Sequence, residues 1–201
     1  MPRELSNPSI TVDVCIQHDD SLLDDSMQSL EMLQDPSAAD GNQPALTMEL
    51  ADIQSIPWSD WFTRWLTDLA PQYSPLHAYE LTLRLTSDRG IQHLNAEYRD
   101  RDRSTDVLAF AAIDSNYTFP DAVYETQPYY LGDLVISLET ASIQATEAKH
   151  SLSTELAWLS SHGLLHLLGW DHPNKESLKS MLDKQKALIA LINPVSSTSG
   201  P

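Results

Sequence analysis

The chain has 201 residues, with 12 Lys and Arg against 29 Asp and Glu and a formal net charge of −17. A protein that coats nucleic acid by charge alone needs a net basic surface, so a histone-like or simple phosphate-coating role is excluded, whereas a nucleic-acid enzyme with a small local basic site is not. One domain is the default at this length, and 41% hydrophobic residues are enough to fill its core.

Ile10, Val12, Val14 and Ile16 alternate with Thr11, Asp13 and Cys15, the period-two pattern of a half-buried strand. Cys15 is the single cysteine, which excludes an intrachain disulfide and fits a reducing compartment. Its place in the alternation predicts a buried, inert thiol. Residues 1–57 hold eleven acidic groups against Arg3 alone, a net of −10, and the remaining residues carry −7. The excess is densest in and beside residues 18–47, rich in Asp, Ser, Gln and Pro with weak periodicity. Such a composition buries too little to offset its ordering entropy and reads as a solvated loop or partly disordered insertion, with an acidic docking segment as the alternative.

After Pro57, Trp58, Trp61, Phe62, Trp65, Leu66 and Leu69 recur three and four apart, an amphipathic helix ending before Pro71. At that spacing the tryptophans read as core rather than as base-stacking platforms. Tyr79, Leu81, Leu83 and Leu85 alternate with polar residues as a second strand, and Asp88 is expected to cap a helix through Ile91, Leu94 and Tyr98. Val107 to Ile113 and Leu131 to Leu138 are apolar runs predicting two adjacent strands, an antiparallel pair joined by a long loop. Tyr117, Phe119, Tyr124, Tyr129 and Tyr130 in or beside that loop either stack on unpaired bases or tack the loop to the body. Helices follow to about Lys149, from about Ser153 to Leu168, and from about Lys175 to Ile192.

The order βαβαββααα predicts an α+β fold with a mixed four-stranded sheet packed with about five helices. It is expected as one domain over residues 1–194, followed by a disordered tail at 195–201. The longest late apolar run, Ala187 to Ile192, is far too short to span a bilayer, and the first 20 residues lack the basic start and apolar run of a secretory signal. A cytoplasmic protein with no membrane partner is expected.

The segment HGLLHLLGWDH carries the chemistry. Residues four apart on a helix lie one turn above each other, so His162 and His166 point the same way. Gly169 allows the helix to end in a left-handed turn, after which the chain can present His172 to the same point. Three neutral imidazoles suit Zn²⁺ and leave a fourth position for water, the catalytic rather than the structural arrangement, in which the water's pKa falls to about 7. The plainer alternative, a surface or core histidine pair, does not account for three of the seven histidines falling at this spacing around a glycine. The spacing is also that of the metzincin zinc peptidases, HExxHxxGxxH, but Gly163 stands where they place the general-base glutamate. No residue of the segment is an evident general acid for a leaving oxygen; Asp171 is near, but its direction after Gly169 is not set by the sequence.

With NAEYRDRDRSTDVLAF at 95–110, LGDLVISLETASIQA at 131–145 and HSLSTELAWLSSHGLLHLLGWDH at 150–172, the chain resembles the YbeY family of endoribonucleases, the bacterial ribosomal RNA maturation factors. Leu108 to Ala111 reads Leu-Ala-Phe-Ala where that family commonly has Leu-Ser-Phe-Pro, and the acidic insertion lies outside the common core. The resemblance implies one zinc ion held by His162, His166 and His172, cleavage of single-stranded RNA, processing near the 3′ end of small-subunit (16S) ribosomal RNA, and ribosome quality control. It also carries the family's functionally important arginine to Arg99. A guanidinium there can clamp a phosphate bidentately; the alternative is a helix-end arginine paired with Asp100 or Asp102.

Arg101 and Arg103, with Lys175, Lys179, Lys184 and Lys186, are candidates for a local positive surface, and Asp133 and Glu139 for partners of the ligand imidazoles. The expected partners are ribosomal RNA, small-subunit proteins and single-stranded RNA, with no DNA. Because even the body of the chain is not basic, binding to naked RNA is expected to be weak and targeting to depend on ribosomal proteins. Two other functions fit the motif: a zinc peptidase, and a non-catalytic ribosome assembly factor whose metal stabilises the fold.

Overall fold

A computed structural model describes residues 9–18, 53–115 and 120–192. In chain order the elements are β1 (Thr11–His18), α1 (Trp58–Leu69), β2 (Ala78–Thr86), α2 (Asp88–Arg99), β3 (Val107–Ala111), a 3-10 turn (Ala112–Asp114), α3 (Asp121–Tyr124), β4 (Tyr129–Ser137), α4 (Leu138–Ala148), α5 (Leu152–Leu167) and α6 (Lys175–Ile192). The α+β architecture is the expected one. The five expected helices are present, and α3 adds a single turn inside the long loop. Of the acidic insertion, only His18 falls in the described residues, where it closes β1; residues 19–47 and the tail 195–201 lie outside them.

The strands form one mixed sheet in the order β1-β2-β4-β3. β1 and β4 run parallel to β2 on either side, and β3 pairs antiparallel with β4, as expected for the two adjacent apolar runs. One face of the sheet, carrying Leu81, Leu83, Leu134 and Ile136, is sealed by α1, α5 and α6. Trp58, Trp61 and Trp65 are buried there, and the Trp65 indole donates to the Leu188 carbonyl of α6 at 2.9 Å. The tryptophan stripe is core.

The opposite face is only partly covered, by α2 packed on Leu108 and Val135 through Ile91. Two expectations are corrected here. Cys15 is exposed rather than buried, because it projects from edge strand β1 on the side that α1 does not cover. The cap of α2 is Ser87, whose hydroxyl accepts the Gly90 N–H. Asp88 instead accepts from Ser137 and Thr140 at the start of α4, while Glu139 of α4 accepts the Asp88 N–H. Each carboxylate sits at the other helix's positive N-terminal end.

The rings of Tyr73, between α1 and β2, and of Tyr124, in the long loop, both stack on Tyr129, at 5.4 and 5.1 Å, and the Tyr73 hydroxyl donates to the Leu168 carbonyl at the end of α5. Tyr124 and Tyr129 thus tack the loop to the body, and Tyr130 is held in the sheet by Thr82 and Asp133. Tyr117 and Phe119 lie outside the described residues.

Candidate metal centre

Helix α5 begins with a Ser151 hydroxyl cap on the Thr154 N–H. It ends where Gly169 takes a φ of +81° and the Gly169 and Trp170 N–H groups bond back to the His166 and Leu165 carbonyls. This is the paired closing bond of a glycine-terminated helix, and it is what turns the chain back so that His172 meets His162 and His166.

One nitrogen from each of the three histidines lies within 4.8 Å of the others, close enough to hold a metal ion. Among the described residues no other group of His, Cys, Asp and Glu does so. The Nε2 atoms of His162 and His166 are 3.2 Å apart. Gln185, fully buried on α6, donates its amide to the Trp158 carbonyl at 2.8 Å, which leaves its oxygen 3.4 Å from His162 Nδ1. That acceptor selects the Nδ1–H tautomer and leaves the Nε2 lone pair facing His166. Converging lone pairs repel unless a proton or a cation lies between them, so the donor set fits a metal.

Burial pushes the pKa of His162 down, as does the neighbouring His172, against the opposing pull of the Gln185 hydrogen bond and Asp106. Burial also lowers His166, helped by His162 and His172 and opposed by the Trp170 backbone and Asp171. Neutral imidazoles, the form that ligates, are therefore favoured. Because both folded-state values lie below the ordinary one, the unfolded chain takes up protons first as pH falls. Metal-free protein is expected to hold its stability above about pH 6.5 and to lose it as pH drops through the folded values. Melting temperatures of chelated protein between pH 8 and pH 5 check this, and the His162→Gln, His166→Gln double variant should lack that part of the slope.

The imidazoles open onto a cleft of about 490 Å³ that also takes in Arg99, Asp106, Asp114 and Asp171. Arg99, the last residue of α2, donates from Nη2 to the Ala109 carbonyl at 3.0 Å. It does so instead of pairing with Asp100 or Asp102; the latter accepts from Gln92. The α2 terminus makes this reach available, since Asp100 turns left-handed at φ 55° and the Arg101 N–H bonds back to Asn95. Asp171 accepts the His172 N–H, and Asp106 is held by Val107, Thr105 and Gln144. With neutral imidazoles the lining has three carboxylates and one guanidinium, a poor host for phosphate until a divalent cation joins it.

Asp133 and Glu139 do not reach the histidines: Asp133 accepts from Tyr130, and Glu139 bonds Asp88. Of the lysines named for a positive surface, Lys184 pairs with Asp68 and Lys186 with Asp183. Three polar residues of the site, Asp106, Asp114 and Gln185, are not singled out by sequence. Asp106 directly precedes the β3 apolar run and is a carboxylate signal legible there, whereas Gln185 sits in a lysine-rich helix and gives none.

Where metzincins carry glutamate, a Cβ on Gly163 would stand 2.6 Å from Leu134 Cδ2 and 3.5 Å from Val107 Cγ2. That side of α5 is pressed onto the sheet, with no room for a carboxylate. Among the described residues no helix is long and apolar enough to cross a membrane.

The sequence model of the family described as "Endoribonuclease YbeY" matches residues 46–193. A relative of that description from Acaryochloris marina is 52% identical over 147 residues, covering 73% of this chain and 83% of its own. One from a Picosynechococcus species is 50% identical over 142 residues, 71% of this chain and 86% of its own. One from a Synechocystis species is 52% identical over 141 residues, 70% of this chain and 79% of its own. With the family matched across most of the described fold, including the three clustered imidazoles and the arginine beside them, the chain belongs to the endoribonuclease YbeY family.

Proposed function

We propose that this protein is a zinc-dependent endoribonuclease that hydrolyses single-stranded RNA. Within that reading it acts in the cytoplasm on the 3′ end of 16S ribosomal RNA and in ribosome quality control, with small-subunit proteins as partners. The observation that carries the reading is one cleft, in a chain of an endoribonuclease family, that holds three converging imidazoles and one arginine.

His162, His166 and His172 would hold the metal, which supplies Lewis acidity toward a phosphoryl oxygen and a water nucleophile at neutral pH. Gln185 keeps His162 in the ligating tautomer. The Ala109 carbonyl fixes one guanidinium nitrogen of Arg99 and leaves its other N–H groups to meet a phosphate, where they stabilise charge developing on the phosphoryl oxygens. The surplus of carboxylates makes phosphate binding depend on the metal, which supports weak affinity for naked RNA and delivery by ribosomal proteins.

Metal analysis of the purified protein, paired with cleavage of a defined single-stranded RNA before chelation, after it and after zinc return, tests the reading. Cleavage that survives chelation overturns it. Arg99→Ala should lower kcat/KM about a hundredfold with metal content unchanged, and Arg99→Lys should recover little, because an ammonium cannot replace a bidentate fork. Steady-state kinetics with metal stoichiometry on the same samples check both.

A further inference from the structure

On the other side of β3 from the imidazoles lies a second groove, of about 310 Å³, walled by Tyr98 and Phe110 and lined by Thr82, Arg84 and Asp133. Tyr98 is 61% exposed, the most exposed large apolar side chain among the described residues, yet its ring is not loose. It packs edge-on against Phe110, with centroids 5.3 Å apart. Phe110 belongs in turn to the small cluster under α2, with Ile91, Leu108 and Val135. A rigidly backed aromatic with its face in water has a large apolar area and little rotamer entropy left to lose on binding.

The groove and the cleft are separate cavities that adjoin across β3. Arg99 bonds to Ala109, and Tyr98 packs on Phe110, so the two contacts are one residue apart on α2 and one residue apart on β3. The α2 terminus straddles the edge strand, with its guanidinium on the metal side and its aromatic ring on the other. A volume of this order suits a single small planar ligand. Thr82, Arg84 and Asp133 supply polar atoms at the floor, and Asp133 is itself braced by the Tyr130 hydroxyl at 2.7 Å.

We propose that this groove is a nucleobase subsite: Tyr98, backed by Phe110, stacks on an unpaired base flanking the phosphate held at Arg99. The inference rests on the single-strand nuclease reading and extends it. It explains a preference for unpaired RNA, since a base in a duplex cannot leave its stack to enter the groove without cost. It also gives the cleft sequence-tolerant affinity that its charge does not provide, because every base has a face to stack.

The test uses the metal-loaded protein and a defined single-stranded RNA carrying one abasic nucleotide, walked through positions on both sides of the scissile bond. Tyr98→Ala should raise KM about tenfold with kcat within about twofold and metal content unchanged, and Tyr98→Phe should behave as wild type. At one flanking position the abasic substrate should bring wild type down to the Tyr98→Ala level, and should cost Tyr98→Ala nothing more. A fluorescent purine at that position, in an RNA made non-hydrolysable by a methylene in place of the bridging 5′ oxygen of the scissile linkage, should be quenched by wild type and not by Tyr98→Ala. The inference is overturned if Tyr98→Ala leaves KM unchanged, if its deficit persists equally on every abasic substrate, or if Tyr98→Phe is as impaired as Tyr98→Ala. It is also overturned if Tyr98→Ala handles naked RNA normally and loses only binding to ribosomal particles, which would make the ring a protein contact. If wild type does not cut RNA at all, the nuclease reading falls separately, and the quenching experiment still reports whether a base occupies the groove.

Discussion

His166→Ala is expected to lose its metal and to cut single-stranded RNA on the order of a thousandfold more slowly than wild type. The imidazole it removes is one of three whose nitrogens lie within 4.8 Å of one another, and its Nε2 faces His162 Nε2 at 3.2 Å. Replacing groups that merely hold a ligand in place costs about 10- to 100-fold in metal affinity, so deleting a ligand from a set of three should exceed the upper end of that range. The fold should survive. His166 is only partly buried, and α5 is held by its serine cap, its glycine turn and a row of buried leucines. His162→Ala makes an informative pair with it. That variant loses the metal too, and leaves the buried oxygen of Gln185 without the ring N–H it faces, a further cost of about 1–3 kcal/mol that His166→Ala does not incur. Zinc stoichiometry, cleavage rate and melting temperature of the chelated proteins separate the two effects. Wild-type cleavage by a metal-free His166→Ala protein would contradict the ligand assignment.

Gly132→Ala should cost about 3 kcal/mol, or roughly 6–12 °C in melting temperature for a protein of this size. Gly132 has a φ of +129°, a conformation open to glycine and strained for alanine. A Cβ there would also stand 2.1 Å from the Phe110 carbonyl oxygen, a backbone atom, and 3.1 Å from both the Ala112 nitrogen and Leu167 Cδ2. No side chain can rotate away to relieve the first contact, so β3 itself would have to move outward. That shift would carry Ala109 and Phe110, the acceptor of Arg99 and the support of Tyr98, away from their partners. Cleavage should therefore fall further than zinc affinity does, since the histidines sit on α5 and the turn after it. Gly163→Ala is the control. Its nearest obstacle is the end of the flexible Leu134 side chain and its backbone is helical, so the loss should stay near 1 kcal/mol. Thermal melts of the two variants check the ranking.

What the sequence made legible was periodic or local. The Trp58, Trp61 and Trp65 stripe and the alternation of β2 each report burial on one face. The spacing of His162, His166, Gly169 and His172 contains its own geometry, because a helical turn and a glycine terminus are set within a few residues. What was not legible depends on which elements meet. Cys15 is a different case: it falls in phase with Thr11 and Asp13, so the alternation itself places it on the solvent face, and its exposure corrects the expectation of a buried thiol. Asp88 and Glu139 are 51 residues apart and serve each other's helices, an exchange invisible to any local rule. Gln185 reaches the site from α6 across a helix–helix contact. Arg99 could have paired with its acidic neighbours, and only the nearness of β3 decides otherwise.

That contact between Arg99 and Ala109 has a bearing on substrate choice. β3 is the outer strand of the sheet and the wall of the cleft, and an exposed strand edge is the place where an extended polypeptide would add itself as another strand. The hydrogen bond from the Arg99 guanidinium occupies an outward carbonyl in the middle of that edge. To enter as a strand, a peptide must first evict the arginine, whereas an RNA chain, which has no use for backbone pairing, finds it already positioned. Under the proposed reading, edge protection and selection of nucleic acid over polypeptide are thus one interaction.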